Sequence, residues 1–413
     1  MIPIIVLACV FLLIMVRRIG SFRFQIWQIM GLGAVAVLAT LQITPLAALK
    51  AINLDVIFFL FGMFIVGEAL VSSGYLSYLS YKLFRRAKSL DSLVLFILFG
   101  MGLTAAFLMN DTLAIIGTPV VILLARKAKT SPKILLLALA FGVTIGTVTS
   151  PIGNPQNLLI AINGNVANPF ITFFHYLLLP TLINLFLAYL LLRLFYRNQF
   201  NQKTFADNPE PVKDPQLARL SQISLILLAL LILAKIITVF AGMKIDFRLT
   251  YIALTAALPV IIFSPRRVSI IRKIDWSTLV FFGAMFILMA SVWNSGVFQK
   301  VINSTGMSLT ETPVIMGVSV VLSQFISNVP LVALYLPMLT SLGVTTAGLM
   351  ALAAGSTIAG NLSILGAASN VIIIQNAEQK SGETLTFWEF FRVGLPLTVI
   401  NVAVYWLFFT IIK

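Results

Sequence analysis

Four short stretches carry polar residues and helix breakers inside otherwise apolar sequence, and their residue types suit the binding of small ions. The first is Met109-Asn110-Asp111-Thr112. The second runs from Thr149 to Asn157 and holds Ser150, Pro151, Gly153, Asn154 and Pro155. The third is Ser327-Asn328-Val329-Pro330, and the fourth runs from Asn361 to Asn370 with Ser363, Gly366 and Ser369. Pro and Gly interrupt the helical hydrogen-bond ladder. Backbone groups freed in this way survive in a membrane only where protein or a water-lined cavity receives them. Freed carbonyls with Asn and Ser oxygens suit a cation such as sodium, and the positive ends of half-helices attract anions. The ion-binding candidates are Asn110, Asp111, Ser150, Gly153, Asn157, Asn328, Ser363, Gly366 and Asn370, with Asn110, Asp111 and Asn157 the sodium candidates. Thr112, Asn154, Ser327, Asn328, Ser369 and Asn370 are the candidates to face a substrate.

Asp111 is the sharpest single residue. A carboxylate in a membrane segment is costly and marks a functional position. It could ligate sodium or exchange a proton; as a helix cap it would pair with backbone amides instead. Glu68 lies in an apolar stretch and reads as an interfacial carboxylate or an interhelical partner. His175, the only histidine, reads as structural. Lys235 is expected to snorkel outward. Gly142 and Gly146 have the GxxxG spacing of close helix packing.

The elements that must position these stretches are membrane helices. The chain has 413 residues, 60% of them hydrophobic and 10% charged, against roughly 25% charged in an ordinary soluble domain. Apolar runs of near-spanning length, for which about 20 residues are needed, recur along the whole chain. The net charge of +15 is punctuation between these runs rather than a basic face for nucleic acid. A threading that places 22 of the 28 Lys and Arg residues on the cytoplasmic side puts basic clusters at both ends of residues 92–125. That segment then enters and leaves by one face, as a hairpin with its tip near Asn110. In this threading the polar linker 198–220 is cytoplasmic and both termini lie outside, in a plasma (inner) membrane.

The two halves echo each other. Leu54-Asp55 answers Ile274-Asp275, and Ser73-Gly74 answers Ser295-Gly296. Asn110 lies nine residues before Pro119, as Asn328 lies nine before Pro337. Ser150, Gly153 and Asn157 answer Ser363, Gly366 and Asn370 at the same spacing, and Thr172-Phe173-Phe174 answers Thr386-Phe387-Trp388. The expected architecture is an all-α polytopic membrane protein of two inverted-topology repeats, the build of many secondary transporters. Residues 1–197 form the first repeat (hairpin 92–125, broken helix 133–162). Residues 221–413 form the second (hairpin 312–342, broken helix 346–376). Asp111 aligns with Val329, so any site using that carboxylate exists once.

Enzyme signatures are missing: no phosphate loop, no H-E-x-x-H and no G-x-S-x-G occurs. One histidine and one cysteine, Cys9, exclude a His- or Cys-rich metal site and a disulfide framework within the chain. No cofactor is expected beyond sodium or a proton as coupling ion.

At its four breaks the chain resembles the ion transporter superfamily, which includes ArsB arsenite permeases, NhaD-type sodium/proton antiporters, the P protein, citrate transporters and divalent anion:sodium symporters. Asn110-Asp111 is similar to the ArsB-type tip, and Ser150–Asn157 to the Thr-Pro-Pro-Asn break of the symporters. Ser327–Pro330, Gly360-Asn361, Ile364–Ala367 and Glu389–Arg392 are similar to the P-protein and NhaD branch. The resemblance implies a homodimer whose protomers each have a scaffold part and a moving part, with elevator-type motion. It also implies Asn110, Asn157, Asn328 and Asn370 near sodium or substrate. The chain departs from the dicarboxylate symporters, which favour Ser-Asn-Thr at both tips: it has Asp111 at one tip and Val329 at the other.

The expectation is an ion-coupled secondary transporter of a small anion, a carboxylate or an inorganic oxyanion, with membrane lipid as surroundings and no nucleic-acid partner. The rivals are a sodium/proton antiporter without an organic substrate, an arsenite or metalloid efflux permease, and a membrane subunit served by a separate ATPase chain.

Overall fold

The computed structural model describes residues 2–411 except 17, 20–21, 77, 79–81, 83–86, 88, 201–211, 241–247, 298–309, 327 and 383. The described chain is helical apart from a two-residue antiparallel pairing of Arg18–Ile19 with Phe22–Arg23. Seven described helices are long and apolar enough to cross a membrane: Leu54–Ser72, Leu90–Phe107, Pro132–Thr149, Pro169–Phe195, Pro215–Lys235, Trp276–Asn294 and Phe387–Ile411. Shorter apolar helices include Ile2–Ile14, Ile26–Ala39, Thr250–Phe263, Thr312–Phe325 and Leu331–Ser341.

Helix starts are written locally. Ser131 accepts from the Lys133 N–H ahead of Pro132, Asn154 accepts from the Asn157 N–H ahead of Pro155, and Thr345 accepts from the Gly348 N–H. Each side-chain oxygen satisfies one orphan donor of a first turn, and proline there forfeits no hydrogen bond. The linker is shorter than 198–220, because Arg197–Phe200 and Pro215–Phe240 are helical. The central part of the expected linker, 201–211, lies outside the described residues.

The chain forms two compact units, each drawing on both halves of the sequence. The larger comprises Met1–Arg23, Ala87–Thr204 and Ser291–Lys413; the smaller comprises Phe24–Arg86 and Phe205–Ala290. In the smaller unit Leu54–Ser72 packs closely on Leu249–Phe263: a Cβ at Gly62 would lie 2.8 Å from the backbone carbonyl of Ala253. Arg248 pairs with Asp55 at 3.2 Å, and Arg266 with Asp214 at 3.3 Å. Glu68 is buried there and accepts from Ser72 at 2.7 Å. Lys235 is also buried in this unit, not turned outward as its long side chain suggested.

The larger unit is built on two helices buried all round. Every residue of Ile134–Gly146 and of Gly348–Ile358 is buried, which is why neither shows an amphipathic pattern. The first hairpin is an arm from Leu90 to Leu108, π-helical over Phe96–Met101, followed by the arm Asn110–Lys127. The second hairpin is Thr312–Ile326 followed by Asn328–Ser341. Apolar burial does not drive one helix onto another in lipid, so small residues allow the contact. A Cβ at Gly146 would lie 1.9 Å from the Gly102 carbonyl oxygen, and one at Gly102 would lie 2.7 Å from that of Gly142. The GxxxG spacing thus serves packing inside the chain.

Two long helices, Pro169–Phe195 and Phe387–Ile411, complete the larger unit. Arg392 sits over the Phe195 ring at 5.4 Å, and Thr181 meets Tyr405 at 2.6 Å. One index falls as the other rises, so these sequence-equivalent helices run antiparallel, as inverted repeats require. At one end Lys133 pairs with Glu389, tying the first broken helix to the start of the last helix.

Candidate functional site

Both predicted breaks are real interruptions, and one side chain closes each of them. In the first, Pro132–Gly146 tightens into a 3-10 turn at Thr147–Thr149, the chain extends at Ser150, and Pro155–Asn163 resumes the helix. Asn157 Nδ2 donates to the carbonyls of Thr147 and Ser150, at 3.1 and 3.0 Å. In the second, Thr346–Ile358 passes through 3-10 turns at Ala359–Asn361 and Ile364–Gly366 to the half-helix Ala368–Ser381. Asn370 Nδ2 donates to the carbonyls of Gly360 and Ser363, at 2.5 and 3.4 Å. In each case the acceptors lie ten and seven residues before the asparagine. The amide nitrogen staples the loop and turns the side-chain oxygen toward other partners.

Those oxygens meet different surroundings. Asn157 Oδ1 accepts from the Thr357 hydroxyl at 3.3 Å, and Asn154 Nδ2 donates to the same hydroxyl oxygen at 3.1 Å. Thr357 therefore bridges the first break to the second broken helix. Asn370 Oδ1 has no hydrogen-bond partner among the described residues, nor do Ser369 Oγ, Asn361 Oδ1 and Asn328 Oδ1, although all four residues are buried. The half-helix starts also differ. Asn154 Oδ1 accepts from the Asn157 N–H at 2.8 Å, whereas Ala367 precedes Ala368–Ser381 and supplies no side-chain cap.

The first tip joins the first break directly: the Asn110 N–H donates to the Gly153 carbonyl at 3.2 Å. Met109, at the turn, has φ 67° and ψ 149°, a conformation costly for a residue with a side chain. Asp111 follows in the first helical turn. Its Oδ1 is buried without a hydrogen-bond partner among the described residues, so that oxygen does not cap the helix. Thr112 is buried beside it.

The hydroxyls of Ser150 and Ser363 are committed. Ser150 Oγ accepts from the Ile152 N–H at 3.3 Å, and Ser363 Oγ donates to Gln324 Oε1 at 2.7 Å. Gln324 also donates to the Ala359 carbonyl at 2.8 Å, anchoring the second break to its own hairpin. Gly153 and Gly366 fit tight corners: a Cβ at either would lie 2.5 Å from the Thr147 oxygen or 2.4 Å from the Ala359 oxygen, respectively. All the candidates except Ser327, which lies outside the described residues, fall within the larger unit. Thr357, Gln324 and Asn376, whose Nδ2 donates to the Ile115 carbonyl at 3.3 Å, escaped the sequence reading. Their signal was weak: each is a polar residue inside a helix, outside the tip and break motifs, and nothing in the sequence shows what it faces. His175 is exposed and only edges the Tyr176 ring.

Multiple membrane-length helices, paired hairpins and paired broken helices, with unpartnered oxygens at the second break and at the tips, define a multi-pass membrane transporter. A family model described as a citrate transporter (CitMHS) matches residues 10–348, and the chain belongs to that family. It is 27% identical over 372 residues to a 46 kDa membrane protein of Mycobacterium leprae, covering 85% of each chain. It is 28% identical to the silicon efflux transporter LSI3 of Oryza sativa subsp. japonica, covering 90% of each. With the P protein of Mus musculus it shares 25% identity, covering 90% of this chain and 56% of that one. Among solved structures, the YdaH transporter of Alcanivorax borkumensis aligns over 99% of this chain and 96% of its own, with a TM-score of 0.48 and 13% identity.

Proposed function

We propose that the chain is an ion-coupled secondary transporter of a small anion, a carboxylate or an inorganic oxyanion, using sodium or protons and working by elevator-type alternating access. The observation that carries the reading is the second break. An uncapped half-helix start attracts negative charge, and beside it Asn370 Oδ1 and Ser369 Oγ are unpartnered oxygens that suit a cation. One site thus offers both polarities, as coupled anion and cation binding requires. Asn328 at the second tip, Asn110 with Asp111 at the first, and Thr112 and Ser327 complete the ligand candidates. That the described candidates share one compact unit supports a moving body carrying the site, with the smaller unit as scaffold of a homodimer in the inner membrane. Ligands would shift the inward–outward equilibrium by their differential affinity for the two states.

A sodium/proton antiporter without an organic substrate is the second reading, favoured by the unpartnered Asp111 Oδ1. A metalloid cargo such as arsenite has its own support, since one relative is named a silicon efflux transporter. The test is flux in proteoliposomes of the purified chain under imposed sodium or proton gradients, with carboxylates, oxyanions, arsenite or no anion. Gradient-driven accumulation of one anion is expected. Sodium-driven pH change in the absence of any anion would move the assignment to the antiporter. Transport that requires an added ATPase would sink both.

A further inference from the structure

A second group of buried polar side chains lies in the larger unit, apart from the tips and half-helix starts. Thr181 Oγ1 and the Tyr405 hydroxyl are 2.6 Å apart. Asn361 Nδ2 donates to Asn401 Oδ1 at 2.9 Å. The helices Pro169–Phe195 and Phe387–Ile411 run antiparallel, so one turn beyond the Thr181–Tyr405 contact Asn184 comes alongside Asn401. All five residues are 0% exposed.

Within this group four amide atoms have no hydrogen-bond partner among the described residues: Asn184 Oδ1 and Nδ2, Asn361 Oδ1 and Asn401 Nδ2. An unpaired buried group costs about 1–3 kcal/mol; Asn361 and Asn401 are in direct contact, and the antiparallel register brings Asn184 to the level of Asn401. Their polarity is balanced, with two donors and two acceptors. Turning the amides does not change this. If Asn361 and Asn401 exchange roles, the pair still leaves one donor and one acceptor, and Asn184 always offers one of each. A bare cation would face the N–H groups, and an anion would face the oxygens. A molecule that both donates and accepts fits all four.

We propose that this group encloses ordered water, about one or two molecules at roughly three hydrogen bonds each. The water is a polar joint. Asn361 belongs to the 3-10 turn of the second break, and its carbonyl oxygen lies where a Cβ at Gly394 would be 2.1 Å away. The break is thus held to the last helix by backbone contact and by the Asn361–Asn401 hydrogen bond, and to Pro169–Phe195 through water. It can shift by exchanging hydrogen bonds without repacking the core.

Synchrotron hydroxyl-radical labelling with mass spectrometry tests this in the wild-type protein, because radicals form from water held inside as well as outside. Tyr405 is expected to be oxidised several-fold faster than Phe173 and Phe141, which are as fully buried but lie among apolar neighbours. The rate is expected to be the same in sodium and in choline buffer. The variant Asn184→Leu, which removes half of the unpaired atoms, is expected to lower Tyr405 labelling toward that of Phe173. Wild-type Tyr405 as unreactive as Phe173 would overturn the proposal, and so would labelling that depends on sodium, which would make the group an ion site. Neither result bears on whether an anion is transported.

Discussion

At the first break Asn154 caps the half-helix and Thr357 occupies Asn157 Oδ1; at the second, Ala367 stands at the cap position and Asn370 Oδ1 is left open. The staple is the same, with one asparagine amide closing carbonyls ten and seven residues back. The tips differ in the opposite sense, since Asp111 belongs to the first and Val329 to the second. Repetition preserves what shapes the loop, because both loops need their carbonyls satisfied in a nonpolar surrounding. It does not preserve what is left over for a ligand. The first half leaves a carboxylate oxygen without a partner among the described residues, and the second leaves neutral oxygens and an uncapped helix start.

The largest effect separates the halves at the level of folding. Gly146→Ala drives a methyl into the Gly102 carbonyl, where no side chain can yield, and is expected to cost about 3 kcal/mol or prevent folding. At the spacing that pairs Ser150 with Ser363, the second half carries Ala359 at the position of Gly146, and its own close glycine, Gly355, answers Gly142 and is looser than Gly146: a Cβ there would lie 3.1 Å from Met316 Cα and Ser319 Cβ. Gly355→Ala is expected to cost about 1 kcal/mol. Thermal midpoints of the two purified variants measure the difference, and equal midpoints would break the asymmetry.

Next comes the carboxylate. Asp111→Asn is expected to abolish the pH or sodium dependence of flux while leaving the thermal midpoint near that of the wild type, because its buried oxygen accepts no hydrogen bond from the described residues. Flux in proteoliposomes across a pH and sodium series reads this out. Retained coupling would return Asp111 to a merely structural role.

The staples are expected to weigh equally on stability and unequally on ions. Asn157→Ala and Asn370→Ala each leave buried carbonyls unpaired and should cost about 2 kcal/mol. Only Asn370→Ala also removes an open oxygen, so it should raise the half-saturating cation concentration by much more than Asn157→Ala. Similar cation dependence in both variants, measured by flux, would mean that Asn157 serves an ion despite its bond to Thr357.

Much of this arrangement could be read in the sequence because it rests on residues that disrupt helices. Asn110, Ser150, Gly153, Asn157 and their counterparts stand out against Leu and Ile, and charge bracketing of residues 92–125 pointed to the hairpin. The roles divided differently than residue type suggests. Ser150 and Ser363 have the right oxygens for an ion, yet one turns onto Ile152 and the other onto Gln324. Lys235 has the stem of a snorkelling residue, yet is buried. Thr357 and Gln324 were invisible because their importance comes from what lies across a helix interface, and sequence spacing carries no distance between segments 200 residues apart, as for Thr357 and Asn157, or 35 and 39 apart, as for Gln324 with Ala359 and Ser363.

The smallest effect isolates that hidden contact. Thr144 and Thr357 stand at equivalent positions, each six residues before the break serine, and both are buried. The Thr357 hydroxyl joins two asparagines, whereas Thr144 Oγ1 has no partner among the described residues. Valine keeps the shape and removes the hydroxyl. Thr357→Val should therefore cost about 1 kcal/mol, while Thr144→Val should be neutral or slightly stabilising. In the first variant Asn157 Oδ1 becomes as open as Asn370 Oδ1. Cation dependence of flux then asks whether the threonine bridge is what keeps the first break from binding an ion: a steeper dependence in Thr357→Val than in wild type is expected. An unchanged curve would mean that loop shape, not the occupied oxygen, sets the difference between the two breaks.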